Sequence, residues 1–253
     1  MNQIFNFPRF IKYATYQTRI RRNIYLPTIG GFSVALFLFM LFLLSVGNYW
    51  KQNEWTVLFF TSFAITGLLL IGNAFPSLRN KEKRINMLML PASVFEKYTY
   101  EYMVKVVLFA ILYPLLFVII SSLAVPIAGI INPDKTILSF SFDPILRPHH
   151  NYIMGLIFWI YLFTSSLAFA GAAAIKKHPL IKTLLLVGTV MMSTIGYFYI
   201  IFEKFKLGNG IQYVVKNTIS NEKEAFTWLF TLLGISACTA LTYAFFKLKE
   251  KEV

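Results

Sequence analysis

The residues able to do chemistry are few, and their spacing does not bring them together. His149 and His150 adjoin, with Asp143 nearby, a set that invites a metal ion. Adjacent residues do not converge on one ion from a helix face, so an incidental pair of loop histidines is the better reading. His178 stands in a short basic turn, "KKHPL". Ser165 and Ser166 have no His or Lys at comparable depth to activate a hydroxyl, and their expected role is hydrogen bonding to backbone or to a neighbouring helix. No glycine-rich loop ends in Lys-Ser or Lys-Thr, so the chain is not expected to bind ATP by that device. These absences describe a chain that is not an enzyme and carries no metal or cofactor of its own.

The elements that hold these residues explain why chemistry is scarce. The chain is 57% hydrophobic and only 14% charged, where a soluble domain carries about a quarter charged residues. Six stretches contain no Asp, Glu, Lys, Arg or His: 27–48, 55–76, 106–131, 151–175, 183–202 and 225–246. Each reaches the ~20 residues that cross a ~30 Å hydrocarbon layer as a helix. The expectation is an all-α membrane protein with six transmembrane helices, forming one domain over residues 1–253. The first span follows 26 mostly polar residues and is read as a retained anchor, with no cleavable signal peptide. A charge held in the bilayer costs about 2.5–3.5 kcal/mol and tends to be kept for a purpose. The six spans hold none, which argues against an ion-driven carrier, although discontinuous helices can build sites from backbone alone.

The net charge of +13 is a topology signal. With six spans the flanking segments alternate sides. The segments 1–26, 77–105, 176–182 and 247–253 together hold 17 Lys and Arg; 49–54, 132–150 and 203–224 hold 7. Basic residues stay cytoplasmic, so both termini are expected inside. The excess also suits anionic lipid head groups, and nucleic-acid binding is not expected.

Residues 1–26 read as an amphipathic elbow. Phe7, Phe10, Ile11 and Ala14 share one helical face, with Arg9, Lys12, Tyr16 and Arg19 opposite, a pattern that can lie in the head-group plane. Pro114 and Pro126 predict a kink or break in span three. The run "SSLAFAGAAA", Ser165 to Ala174, predicts a close helix–helix contact. The loop 203–224 is read either as a dip into the membrane edge or as a short surface helix.

The most informative stretch is "RINMLMLPASVFEKY", residues 84–98. It follows the basic run "SLRNKEK" and so lies in a water-facing loop, yet it presents Met87, Leu88, Met89 and Leu90. Ser93 and Glu96 have capping-box spacing, and Pro91 disfavours helix at Leu90. Two short helices broken at Leu90-Pro91-Ala92 are expected, the second running into span three. An exposed Met/Leu tip held on a spanning helix suits docking in a groove of another protein.

This layout resembles the permease subunit of the type-2 ATP-binding-cassette (ABC-2) exporters. The matching elements are the elbow Phe7–Arg22, the six spans, "RNKEKRINMLML" and Pro91-Ala92-Ser93. The Gly-Thr that often precedes the leucine run in such permeases, and the Gly-Lys that often follows Pro-x-Ser, are absent. The resemblance implies that the 79–97 loop is a coupling helix. Its ATPase contacts would be Arg84, Met87, Leu88, Leu90, Pro91, Ala92, Ser93 and Phe95. It also implies pairing with a second permease, identical or related, ATP and Mg on partner ATPase subunits, and a place in a bacterial cytoplasmic membrane. Lipids, glycans, peptides or drugs would be the substrates. The alternative is a non-transport membrane scaffold or sensor that recruits a cytoplasmic partner through the same loop.

Overall fold

The computed structural model describes residues 5–46, 49–78, 85, 89–133, 135–143, 152–175, 178–199 and 222–250. Nearly all of them are helical. The chain divides into two compact units, one of residues 1–67 and 88–148, the other of 68–87 and 149–253.

The first unit opens with α1, Phe7–Val46, a single helix of 40 residues. An in-plane elbow and a separate first span were expected here, and the two are one continuous helix. Pro27 lies inside it, where its missing N–H costs one backbone bond but does not end the helix. Asn6 starts α1: its Oδ1 accepts from the Arg9 N–H at 3.3 Å, the bonding of an N-cap residue. A two-residue strand β1, Tyr49–Trp50, leads into α2, Gln52–Gly72, most of which belongs to this unit.

After the loop, α3 runs Val94–Tyr102, passes through a π-helical turn at Met103–Val107 and continues as α4, Leu108–Ile131. Together they make an unbroken stretch of 38 residues. Of the kink or break expected at Pro114 and Pro126, the break is absent: both prolines sit inside α4, and a π-helical turn lies ahead of them at Met103–Val107. Helices flanked by other helices tolerate a proline in this way.

Beyond α4, strand β2, Thr136–Ile137, pairs in parallel with β1, Tyr49 opposite Thr136 and Trp50 opposite Ile137. This small sheet anchors an aromatic core. Trp55 is fully buried, and its indole donates to the Leu138 carbonyl at 2.7 Å. Phe59 and Phe117 meet edge-on with ring centroids 5.1 Å apart, and Phe140 lies 5.0 Å from Phe117. Deeper in the unit the Tyr113 hydroxyl donates to Ser62 Oγ at 2.6 Å, joining α4 to α2.

The second unit contains α5, Tyr152–Ala174, α6, Pro179–Tyr199, and α7, Glu222–Glu250. The small-residue run of α5 makes the close contact it predicts. Ser165, Ser166, Ala168, Ala170, Ala172 and Ala173 are all buried. A methyl group added at Gly171 would fall 1.9 Å from Thr183 Oγ1 of α6, so only glycine lets these backbones approach. On α7 the buried stripe is Ala237, Ala240 and Ala244, ending on Leu248. Gly155 and Gly234 face the rings of Phe230 and Trp159, one glycine from each of α5 and α7. Phe75, in the turn after α2, holds φ of 54° and buries its ring 5.0 Å from that of Phe169. Positive φ is rare for a bulky residue.

Among the described residues five helical stretches are long and apolar enough to cross a membrane: Phe7–Val46, Gln52–Gly72, Val94–Ile131, Ile157–Ala174 and Phe226–Glu250. That is the character of a multi-pass membrane protein. The expected fifth span coincides with α6, a helix of 21 residues that is not among those five. The 203–224 loop lies outside the described residues up to 221; from Glu222 the chain is already in α7.

Candidate functional site

The site is built on the start of α3. Ser93 is extended, with φ of −69° and ψ of 159°, and caps the helix. Its Oγ accepts from the Glu96 N–H at 3.2 Å, and Glu96 Oε2 accepts from the Ser93 N–H at 2.9 Å. This is the capping box that the spacing predicts. Just before it the Ala92 N–H donates to the Leu90 carbonyl at 2.7 Å, which closes a tight turn at Leu90-Pro91-Ala92, where the break was expected.

Glu96 does more than its spacing announces. Its Oε1 also accepts from the Asn6 N–H at 2.9 Å, and Arg9 Nε lies 3.0 and 2.9 Å from its two oxygens. Arg9 Nη2 completes the pair at 2.8 Å. One fully buried carboxylate therefore ties the first residues of α1 to those of α3. Burial alone would push the Glu96 carboxyl up. Hydrogen bonds from Arg9, Asn6 and Ser93, with the Arg9 charge, outweigh burial and hold it below the usual glutamate value.

A second hook lies further along. Arg21 Nη1 meets Glu101 Oε1 at 2.6 Å, with side chains 12% and 3% exposed. The Arg21 guanidinium also lies 5.9 Å from the Tyr100 ring centroid. Between the two hooks, Tyr13 packs edge-on against Tyr100 at 5.6 Å, and Thr18 Oγ1 lies 3.2 Å from the Tyr100 hydroxyl. Lys105 Nζ sits 5.1 Å from the Tyr25 ring centroid, within cation–π range. The buried face of α1 here is Tyr13 and Gln17, while Phe7 and Ile11 remain exposed. The apolar face is thus left outward, as an interfacial helix would have it, and Arg9 from the opposite polar face engages Glu96.

Of the expected contact residues, Arg84, Met87 and Leu88 lie outside the described residues. Pro91 is exposed, Phe95 is 39% exposed, and Leu90, Ala92 and Ser93 are half-buried. Met89, the other described residue of the apolar run, is 79% exposed. Phe95 touches Phe5 edge-on with centroids 6.0 Å apart. The hooks were missed because Arg9 and Arg21 read as part of a basic flank, and a partner some 80 residues away leaves no spacing signal. Lys97 and Lys105 are buried too, although both were counted with the water-facing loop.

No family model, no curated protein and no solved structure matches this chain. What it does must be argued from its own residues. Among the described residues no group of three or more His, Cys, Asp and Glu side chains could hold a metal ion. His149 and His150 lie outside them, and His178 is exposed, with φ of 50° just ahead of α6. The chemistry of this site is mechanical: a stiff helix start with an apolar tip, fastened at two points to α1.

Proposed function

We propose that this chain is the membrane-spanning permease subunit of an ATP-binding-cassette exporter. It would couple to a separate ATPase through the 79–97 loop. In this reading six helices cross a bacterial cytoplasmic membrane with both termini inside, and the first turns of α1 extend the first span on the cytoplasmic side. Two copies, or one copy and a related permease, pair in the bilayer. ATP and Mg are bound by the ATPase, and this chain changes conformation as the ATPases close.

One observation carries the reading. The exposed Met89 and Pro91 lead, through the turn at Leu90-Pro91-Ala92, into a helix start that is capped by Ser93, hooked to α1 by Glu96 and Glu101, and continuous with α4. A force on such a tip reaches the helix behind it through a turn of only four residues, Leu90 to Ser93. A scaffold that merely recruits a partner has no need of that stiffness.

The test is a pull-down of this chain from native membranes, in which an ATPase with a phosphate loop is expected to co-purify. Leu88→Asp or Leu90→Asp places a carboxylate in the docking contact, where an unpaired buried charge is costly. The expected result is loss of the ATPase, or hydrolysis that no longer responds to substrate, with unchanged melting in detergent. Arg79→Ala is the control. A lowered melting temperature with the ATPase still bound would refute the coupling role. Recovery of a partner without a phosphate loop would favour the scaffold.

A further inference from the structure

Within the first unit α1 is packed towards both of its ends and bare between them. Its first turns are held to α3 by the Arg9–Glu96 and Arg21–Glu101 pairs. Further on, Leu36, Met40 and Leu44 form a buried stripe. Between these zones Leu26, Pro27, Thr28, Ile29, Gly30 and Gly31 are all exposed. An α-helical turn takes ~3.6 residues, so every face of the helix is open there. Proline has no N–H to give the carbonyl four residues back, here that of Asn23, and glycine is the poorest helix former after proline. Neither glycine serves a close approach. A methyl group added at Gly30 or Gly31 would meet nothing within 4 Å among the described residues, whereas at Gly67 it would meet the Phe109 ring at 3.0 Å. Thr28 Oγ1 donates to the Ile24 carbonyl at 2.7 Å, and Ser33 Oγ to the Ile29 carbonyl at 2.8 Å. Such bonds compete with the backbone ladder and favour bending.

The neighbouring helix is irregular at the same level. α1 and the α3–α4 stretch run side by side in one direction: Tyr13 meets Tyr100, Tyr25 meets Lys105, and Phe32 lies 6.3 Å from Tyr113 between ring centroids. Pro27, Gly30 and Gly31 fall between the last two of these contacts, and Lys105 belongs to the π turn Met103–Val107. Prolines, glycines and π turns are where helices bend. We propose that the segment 27–31 and the π turn form a paired hinge, on which the hooked starts of α1 and α3 swing as one body against the rest of the first unit. The hooks set the direction. A tilt within the plane of the two helices would slide one past the other, which both ion pairs oppose. A tilt about the line joining the two hinge points slides nothing and is left free. This motion belongs to the chain itself and does not depend on the exporter reading.

The test is double electron–electron resonance on full-length protein in lipid nanodiscs, with Cys238→Ala removing the native thiol. Spin labels at Thr15→Cys and Ile65→Cys span the hinge, and labels at Phe42→Cys and Ile65→Cys form a reference pair on one side of it; all three positions are exposed. From Pro27 back to Thr15 the lever is ~18 Å at ~1.5 Å per residue, so a bend of ~20° carries its end ~6 Å. The expected result is a cross-hinge distance spread over several Å more than the reference distance. Pro27→Ala with Gly30→Ala and Gly31→Ala should narrow it to the reference width, with a melting temperature level or higher, because alanine is the better helix former. Arg21→Met with Glu101→Met should widen it, because the hook nearest the hinge is gone. A wild-type spread no wider than the reference, or a spread untouched by the three alanines, would overturn the proposal. So would a spread untouched by the double methionine variant, since the two helix starts would then not move as one body. A lowered melting temperature in the triple-alanine variant would also overturn it, because the glycines would then be seating another helix.

Discussion

Arg21→Met should be among the most damaging single substitutions in the first unit. The substitution keeps most of the side-chain volume but leaves the Glu101 carboxylate, 3% exposed, without its 2.6 Å partner. Glu101 Oε2 already lacks a hydrogen bond among the described residues, so the remaining charge has little to compensate it. Removing one member of a buried pair costs about 3–5 kcal/mol. For a chain of this size a kcal/mol moves the melting temperature by ~2–4 °C, so a fall of roughly 10 °C is expected. Replacing both partners with apolar residues is often neutral or better, so Arg21→Met with Glu101→Met should recover most of the loss. The assay is thermal unfolding in mild detergent, followed by tryptophan fluorescence, on wild type, both singles and the double. A double variant as unstable as Arg21→Met would show that Arg21 acts by packing against Tyr100 and not through its charge. A single variant within ~1 kcal/mol of wild type would show that Glu101 is effectively solvated, and the hook would then contribute little.

Other expectations follow from the same contacts. Because the Glu96 carboxyl is held below its ordinary value, its contribution is complete at neutral pH and is lost as the pH falls through that lowered value, on the acid side of the usual glutamate range. Hydrogen exchange at the start of α1 should accelerate over that acid range in wild type, and Arg9→Met should flatten the change. Gly171→Ala should cost about 1–3 kcal/mol through overpacking, read by the same melts. Thr183→Ala should relieve only part of it, because Thr183 Cβ itself lies 2.7 Å from the added carbon. A cysteine at position 149 should be labelled by an impermeant reagent from the outer face of intact cells; labelling only after membrane disruption would reverse the topology.

The features legible in the sequence were those whose partners lie close along the chain or that depend on composition. Ser93 and Glu96 stand three apart, and their capping box forms as the spacing predicts. The run Ser165–Ala174 carries its meaning in residue size, and Gly171 does meet another helix. The long apolar stretches mark most of the helices, because a span needs only length and the absence of charge. What stayed hidden depends on distant partners or on backbone geometry. Glu96 reads as a cap, and nothing near it says that Asn6 and Arg9 share the same carboxylate. Pro114 and Pro126 suggested a kink or break, but a missing N–H costs only one bond each, and helix continues through both, as it does through Pro27. The π turn at Met103–Val107 has no proline or glycine to betray it.

That turn sets the angular phase of the helix it interrupts. A π turn accommodates one residue more than an α turn, and one α-helical residue corresponds to about 100° of rotation. Deleting a single residue between 103 and 107 would let α3 and α4 join as one regular helix. The face that now presents Glu96 and Glu101 to α1 would then point elsewhere relative to the lipid-facing side of α4. The extra residue therefore works like a keyway on a shaft. It lets α3 address α1 while α4 keeps its own orientation in the bundle, and it makes this part of the chain far less tolerant of a change in length than of a change in residue type.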